Sequence, residues 1–187
     1  MSDKRDDAHL VETEVSSELM YEGKLLHVRR DAVRLPDGKV ATREYIRHPG
    51  AVMVIPVLRD GRLVIVRQYR YPHRRVFVEF PAGKLDPGES ALATGQRELR
   101  EEAGYTADEW IDFGVIHPLL SYSDEAIYMY VARGLAQVGA RLDEGEFLEV
   151  GTTSVDEMLA SLDRGELTDA KTVTALLLYE RRFGRKG

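Results

Sequence analysis

The chain has no cysteine among its 187 residues, which excludes disulfides, thiol nucleophiles and thiolate metal sites. No run approaches the ~18 consecutive apolar residues of a membrane-spanning helix, and residues 1–14 are mostly charged and polar, without the apolar core of a secretory signal. The expectation is a cytoplasmic chain with no membrane partner. Positive charge is also short. Lys and Arg number 26 against 32 Asp and Glu, and a net charge of −6 leaves no basic footprint for nucleic acid. Internal repeats and low-complexity linkers are missing as well. What remains is 43% hydrophobic, enough at this length for one sizeable core with, at most, a small appendage.

Acid is plentiful, and its placement is unusual. Pro87-Gly88 makes a turn, Ser90 can cap, Ala91, Leu92, Gly95 and Leu99 recur at helical spacing as a buried stripe, and Gly104 stops the run, so a helix is predicted between Ser90 and Gly104. Gly95 in its interior costs about 1 kcal/mol relative to alanine, and close packing of the helix on a sheet accounts for it. Glu98, Glu101 and Glu102 fall on one face of the last turn. There the helix dipole is negative, and a like-charge i,i+4 pair costs about 0.2–0.5 kcal/mol. A bound dication reverses the sign. Carboxylates without neighbouring Cys or His suit a hard ion, Mg²⁺ or Mn²⁺, rather than zinc.

Around this helix the chain reads as interleaved strands and helices. Residues 1–14 look frayed. Residues 15–49 read as a small antiparallel β subdomain, with strands near 18–21, 25–35 and 40–46 and a Pro36-Asp37-Gly38 turn. Residues 50–187 form the main domain. Strands are expected at 51–58, 63–69, 77–80, 111–117, 126–132 and 147–152, with Asp60-Gly61 closing a hairpin and Pro81-Ala82-Gly83 turning toward the helix. Helices are expected at 155–163 and 169–183. Irregular alternation of this kind predicts an α/β (α+β) fold, a mixed sheet between helices.

Gly83, Glu89 and the run Arg97-Glu98-Leu99-Arg100-Glu101-Glu102-Ala103-Gly104-Tyr105 stand in the spacing G-x5-E-x7-R-E-U-x-E-E-x-G-U. This resembles the complete signature of the Nudix hydrolases, with Tyr105 the one departure, at the last apolar place. A solvated charged helix face explains a Glu/Arg run but not Gly83 and Glu89 at those offsets. The resemblance implies an α/β/α sandwich and hydrolysis of a diphosphate assisted by divalent metal. It implies Glu98 and Glu102 as main metal ligands, Glu101 as an additional ligand or water positioner, and the carbonyl of Ala82 as a further ligand. Glu89 and Arg97 would pair and hold the loop against the helix.

Segments outside that box narrow the resemblance to the ADP-ribose pyrophosphatase and nucleoside diphosphate sugar branch. Val78-Glu79-Phe80-Pro81-Ala82-Gly83-Lys84 is similar to its E-L/F-P-A-G-K lead-in, and Arg67-Gln68-Tyr69-Arg70 to its R-Q-Y-R stretch, which makes Arg70 the phosphate binder. The acidic cluster Asp143-Glu144-Gly145-Glu146 resembles the loop that carries the general base; Glu146 is favoured and Glu144 comes second. After the box this chain keeps Ser123 and Glu125 but has Leu120 where the branch's marker proline stands, so a wider range of sugar nucleotides is expected, with a GDP-mannose type as the alternative. Tyr122 is expected to line a base or sugar pocket. Arg43 and Tyr45 are expected at an active site completed by a second copy, because members of this branch form homodimers through the amino-terminal sheet. The expected function is hydrolysis of ADP-ribose or a related nucleoside diphosphate sugar to a nucleoside monophosphate and a sugar phosphate. A non-catalytic nucleotide sensor, the reading from another class, tends to lose box glutamates, and here they are intact.

Overall fold

The computed structural model describes residues 7–142, 145 and 147–184. They form two compact units, one running to His48 and including Leu119–Glu125, the other made of Pro49–Pro118 and the residues from Ala126 onward.

The first unit is a three-stranded antiparallel sheet in the order β1 (Thr13–Glu22), β2 (His27–Arg34), β3 (Val40–Arg47). The strand β1 starts well before the expected residue 18. Its polar opening gives no apolar alternation, yet Thr13 pairs with Arg34 and Glu14 with Val33, so the ladder to β2 decides the matter. Residues Leu119–Glu125 attach to the end of β3. The Ile46 N–H donates to the Tyr122 carbonyl at 2.8 Å, and the Asp124 N–H to the Ile46 carbonyl at 3.3 Å.

The second unit holds a mixed four-stranded sheet, in the order β7 (Ala82–Lys84), β4 (Ala51–Pro56), β9 (Ile127–Gln137), β8 (Tyr105–Ile116). A three-stranded antiparallel sheet has the order β10 (Leu148–Thr153), β5 (Leu63–Arg70), β6 (Arg75–Glu79). Strands β4 and β9 run parallel, and the other pairs are antiparallel. Every residue of β4 is buried. Its side chains alternate: Val52 and Val54 pack with Leu99 and Ala103 of α1 (Ala91–Ala103), whereas Met53 and Ile55 join Met158 of α2 (Val155–Asp163) and Leu176 of α3 (Ala170–Phe183). The period of two thus builds the expected layering, with α1 on one face and α2 and α3 on the other. Each fully buried aliphatic here stabilises by about 1.5–3 kcal/mol. No helix among the described residues is long and apolar enough to cross a membrane.

Three further elements depart from the sequence expectations. Ala82–Lys84 is a short strand on β4, not only a turn. Strand β8 begins at Tyr105 rather than 111; its polar first half lacks an apolar run but pairs with the extension of β9, Glu109 lying opposite Arg133. In α1, Leu92 is 37% exposed and outside the buried stripe. The inward place in that first turn goes to Thr94, whose hydroxyl donates to Glu89 at 2.8 Å.

Gly95 meets its expectation. A Cβ there would lie 3.1 Å from Val52 Cγ1 and 3.4 Å from Val54 Cγ2. The close approach of α1 to β4 therefore leaves little room for a side chain at residue 95. Gly95→Val is expected to lower stability by about 1–3 kcal/mol through overpacking, read as a drop in urea midpoint at constant m-value; a native midpoint would show that the interface yields.

Candidate active site

The site begins where β7 lies along the acidic face of α1. Ser90 accepts the Ala93 N–H at 3.2 Å to start that helix, and Gly104, at φ +75°, ends it with its N–H on the Arg100 carbonyl at 3.1 Å. From β7 the Ala82 N–H donates to Glu102 Oε2 at 2.9 Å. Glu102 is only 5% exposed, far from a solvated surface acid. Gly83 sits against Glu98 so closely that a Cβ on it would fall 1.8 Å from Glu98 Oε1. Strand β7 and two of the box glutamates therefore share a space in which a side chain at residue 83 would displace the Glu98 carboxylate.

Arg97 organises the other side. Its Nη1 donates to Glu98 at 2.7 Å and to Glu101 at 3.2 Å, and its Nη2 donates to Glu89 at 3.1 Å and to the Lys84 carbonyl at 3.3 Å. The expected Glu89–Arg97 pair and the i,i+4 pair to Glu101 are both present. Burial disfavours the guanidinium charge, but the bond to Glu89 and the nearby Glu98 and Glu101 outweigh it and raise the Arg97 pKa. The same bond to Arg97, with that from Thr94, lowers the pKa of Glu89.

Arg97 thus brings a cation of the chain's own to Glu89, Glu98 and Glu101 on one face of α1. Among the described residues no group of three or more His, Asp or Glu side chains is arranged as a ready-made metal cage. The donor set nevertheless fits a hard dication. It consists of carboxylate oxygens, two of them on largely buried side chains, beside a strand whose backbone approaches them with no Cβ between.

Arg70, expected to bind phosphate, forks onto Glu79, with Nε and Nη2 at 2.6 and 2.7 Å from the two oxygens. Glu79, 2% exposed, also accepts from Lys171 Nζ. Burial pushes the Glu79 carboxyl up, yet the bonds and charges of Arg70 and Lys171 prevail and hold it below its usual range. The bond to Glu79 likewise raises the Arg70 pKa, and Glu102 adds to that through its charge. Lys171 had no part in the sequence argument, and Glu79 entered it only as a letter of the lead-in motif. The available signal was the cap Asp169-x-x-Thr172 at the start of α3, which fixes where Lys171 begins.

In the first unit, Arg43, Tyr45 and Tyr122 come together in one cavity of about 430 Å³, which Ser123 and Asp124 also line. Arg43 is engaged there by Glu12, with Nε at 2.9 Å from Oε2. Burial first, then a bond with Asp31, raises the Tyr45 pKa. Glu125 lies 3.9 Å from His48 Nε2, and its N–H donates to Ser123 Oγ at 3.1 Å. Glu144 and Glu146 lie outside the described residues. Before them, the Arg141 N–H donates to the Glu101 carbonyl at 2.9 Å; beyond them, Leu148 pairs with Gln68.

An acidic face whose donors fit a dication, on this layered fold, points to a Nudix-type hydrolase, and comparison with known proteins agrees. The chain belongs to the Nudix family: the NUDIX domain matches residues 47–176, and the nucleoside diphosphate sugar hydrolase N-terminal domain matches residues 12–46. Among curated relatives, the ADP-ribose pyrophosphatase of Bacillus subtilis is 37% identical over 169 residues, spanning 89% of this chain and 91% of that protein. The methanol dehydrogenase activator of Bacillus methanolicus is 39% identical over 169 residues, spanning 88% and 90%. A crystal structure of an ADP compounds hydrolase superimposes with a TM-score of 0.83 at 25% identity, covering 94% of this chain and 98% of that one. Members of the family work with a divalent metal.

Proposed function

We propose that this chain hydrolyses the diphosphate of ADP-ribose or a closely related nucleoside diphosphate sugar, with Mg²⁺ as the metal. The observation that carries the reading is the apposition of β7 to α1, where Ala82 and Gly83 hold the backbone against Glu102 and Glu98. Substrate class rests on the relatives named for ADP-ribose and ADP compounds, and on the match of residues 12–46 to a nucleoside diphosphate sugar domain. Glu98 and Glu102, with Glu101 and the Ala82 carbonyl, hold the ion, which when bound supplies neutralisation of phosphate charge and a more acidic water.

The remaining roles belong to the chain itself. Arg97 keeps the loop at Glu89 and Lys84 on the helix and fixes the outward carboxylates. Arg70 binds phosphate oxygens through its planar fork. Glu146, with Glu144 second, takes the proton of the attacking water, a reading supported by the bond that brings Arg141 to the carboxyl end of α1 beside Glu101. Arg43, Tyr45, Tyr122 and Glu125 serve the base and sugar. Their common cavity supports this for the first three.

We also infer a homodimer formed through the first unit. Strand β1 exposes Val15, Leu19 and Tyr21 at 50%, 46% and 58%, more apolar surface than a stable lone sheet leaves in water. Sedimentation of the pure protein as a monomer at micromolar concentration would remove that inference. The activity is tested with a panel of ADP-ribose, ADP-glucose and GDP-mannose in Mg²⁺, following release of AMP or GMP. AMP from ADP-ribose is the expected result. Preference for GDP-mannose moves the specificity to the alternative, and no turnover of any diphosphate at high enzyme rejects catalysis.

A further inference from the structure

We propose that Lys171 is a positioning residue: it holds the charge of Glu79 so that the Arg70 guanidinium can pass from Glu79 to the diphosphate of the substrate. The inference rests on Arg70 as the phosphate binder and adds to that reading a residue that touches no substrate. Glu79 is almost wholly buried and takes two cations, the fork of Arg70 and the ammonium of Lys171. A buried carboxylate with a single cationic partner releases it only at a large desolvation penalty. A second cation removes most of that penalty.

The surroundings of Lys171 fit such a task. Its Nζ also donates to Asp169 at 2.8 Å. Asp169 caps α3, accepting the Thr172 N–H at 3.1 Å and the Thr172 hydroxyl at 2.6 Å, so the positive end of the helix dipole carries part of its charge. An ammonium with three donors can serve both carboxylates at once. The Thr172 hydroxyl in turn accepts the Phe80 N–H at 3.2 Å, tying the start of α3 to the residue after Glu79. Exposure separates the two cations: the Arg70 side chain is 42% accessible and that of Lys171 16%. Arg70 is the member that a ligand reaches. Its fork suits phosphate oxygens as it suits a carboxylate, so exchange preserves two charge-assisted bonds. Without Lys171, Glu79 retains Arg70 and the substrate has to compete for it.

The test compares the native enzyme with K171M, K171R, R70K and R70K/K171M, using ADP-ribose and Mg²⁺; each variant keeps at least one cation on Glu79. K171M is expected to raise KM about tenfold with kcat changed less than about threefold, and K171R to restore KM. In the R70K background, K171M is expected to add no more than about twofold, because Lys171 acts through Arg70. A native KM in K171M overturns the proposal. So does full multiplication of the two effects, which would mean that Lys171 meets the substrate by itself. A native KM in R70K takes Arg70 off the phosphate and this inference with it, while hydrolysis stands. The Kd for ADP-ribose, measured calorimetrically in EDTA, follows the same pattern without turnover, so loss of hydrolysis alone counts against the catalytic reading only.

Discussion

Replacing Glu102 with glutamine is expected to lower kcat on ADP-ribose by about a hundred- to a thousandfold while the protein stays folded. The side chains are nearly isosteric, and the amide oxygen of glutamine can still accept the Ala82 N–H that Glu102 now holds at 2.9 Å. What disappears is a negative charge in a position that is 5% exposed. Metal-free stability should change little, because relief of the like-charge i,i+4 repulsion from Glu98 offsets the lost attraction between Glu102 and Arg70. Mg²⁺ separates the two proteins further. At about a hundred times its Kd, an ion bound only to the folded state adds about 2.7 kcal/mol, or roughly 5–10 °C of melting temperature for a domain of this size. The native protein should show that rise and E102Q little of it. Equal rates, or equal rises, would mean that the dication binds elsewhere.

Gly83→Ala is expected to cost about a hundredfold in kcat/KM with a much smaller loss of stability. The new methyl carbon would lie 1.8 Å from Glu98 Oε1 and 2.0 Å from its Cδ. Those atoms are the end of a flexible side chain, so the carboxylate moves and the backbone of β7 does not. Misplacing a reacting or ligating group by about 1 Å is worth about a hundredfold in rate. Glu98 would at the same time lose its bond to Arg97 Nη1. The control is E98A, in whose background G83A should change nothing further. Native kcat/KM in G83A would show that the position of Glu98 does not matter to the reaction.

The parts of this protein legible in its sequence are those whose physics is local. The cap at Ser90, the stop at Gly104, the carboxylate face between them and the close-packing role of Gly95 all follow from spacing along one helix, and each has its expected place. The central strands were legible because a nearly unbroken apolar run such as β4 has few other uses. Elements whose reason lies in a distant partner were less so. Thr13–Glu14 and Tyr105–Trp110 are strands because of the strands beside them, and Leu92 lost the inward position to a hydroxyl bonded to Glu89. The same distance hid the partnership at Glu79. A lysine 92 residues further along the chain cannot be matched to a carboxylate by pattern alone. The crowded glutamates, too, are eased by a side chain seven residues beyond Ser90, Arg97, and not by a bound ion alone.

The parallel pairing of β4 with β9 sets Ala51 beside Ile127, so the middle of the larger sheet is joined from pieces made far apart in time. Until β9 emerges from the ribosome, β4 can pair only with the three residues of β7, and one long edge of a wholly apolar strand stays unsatisfied. Non-local parallel pairing of this kind is slow and leaves sticky intermediates. During synthesis the interval between β4 and β9 is therefore the one in which an unpaired apolar edge most invites aggregation.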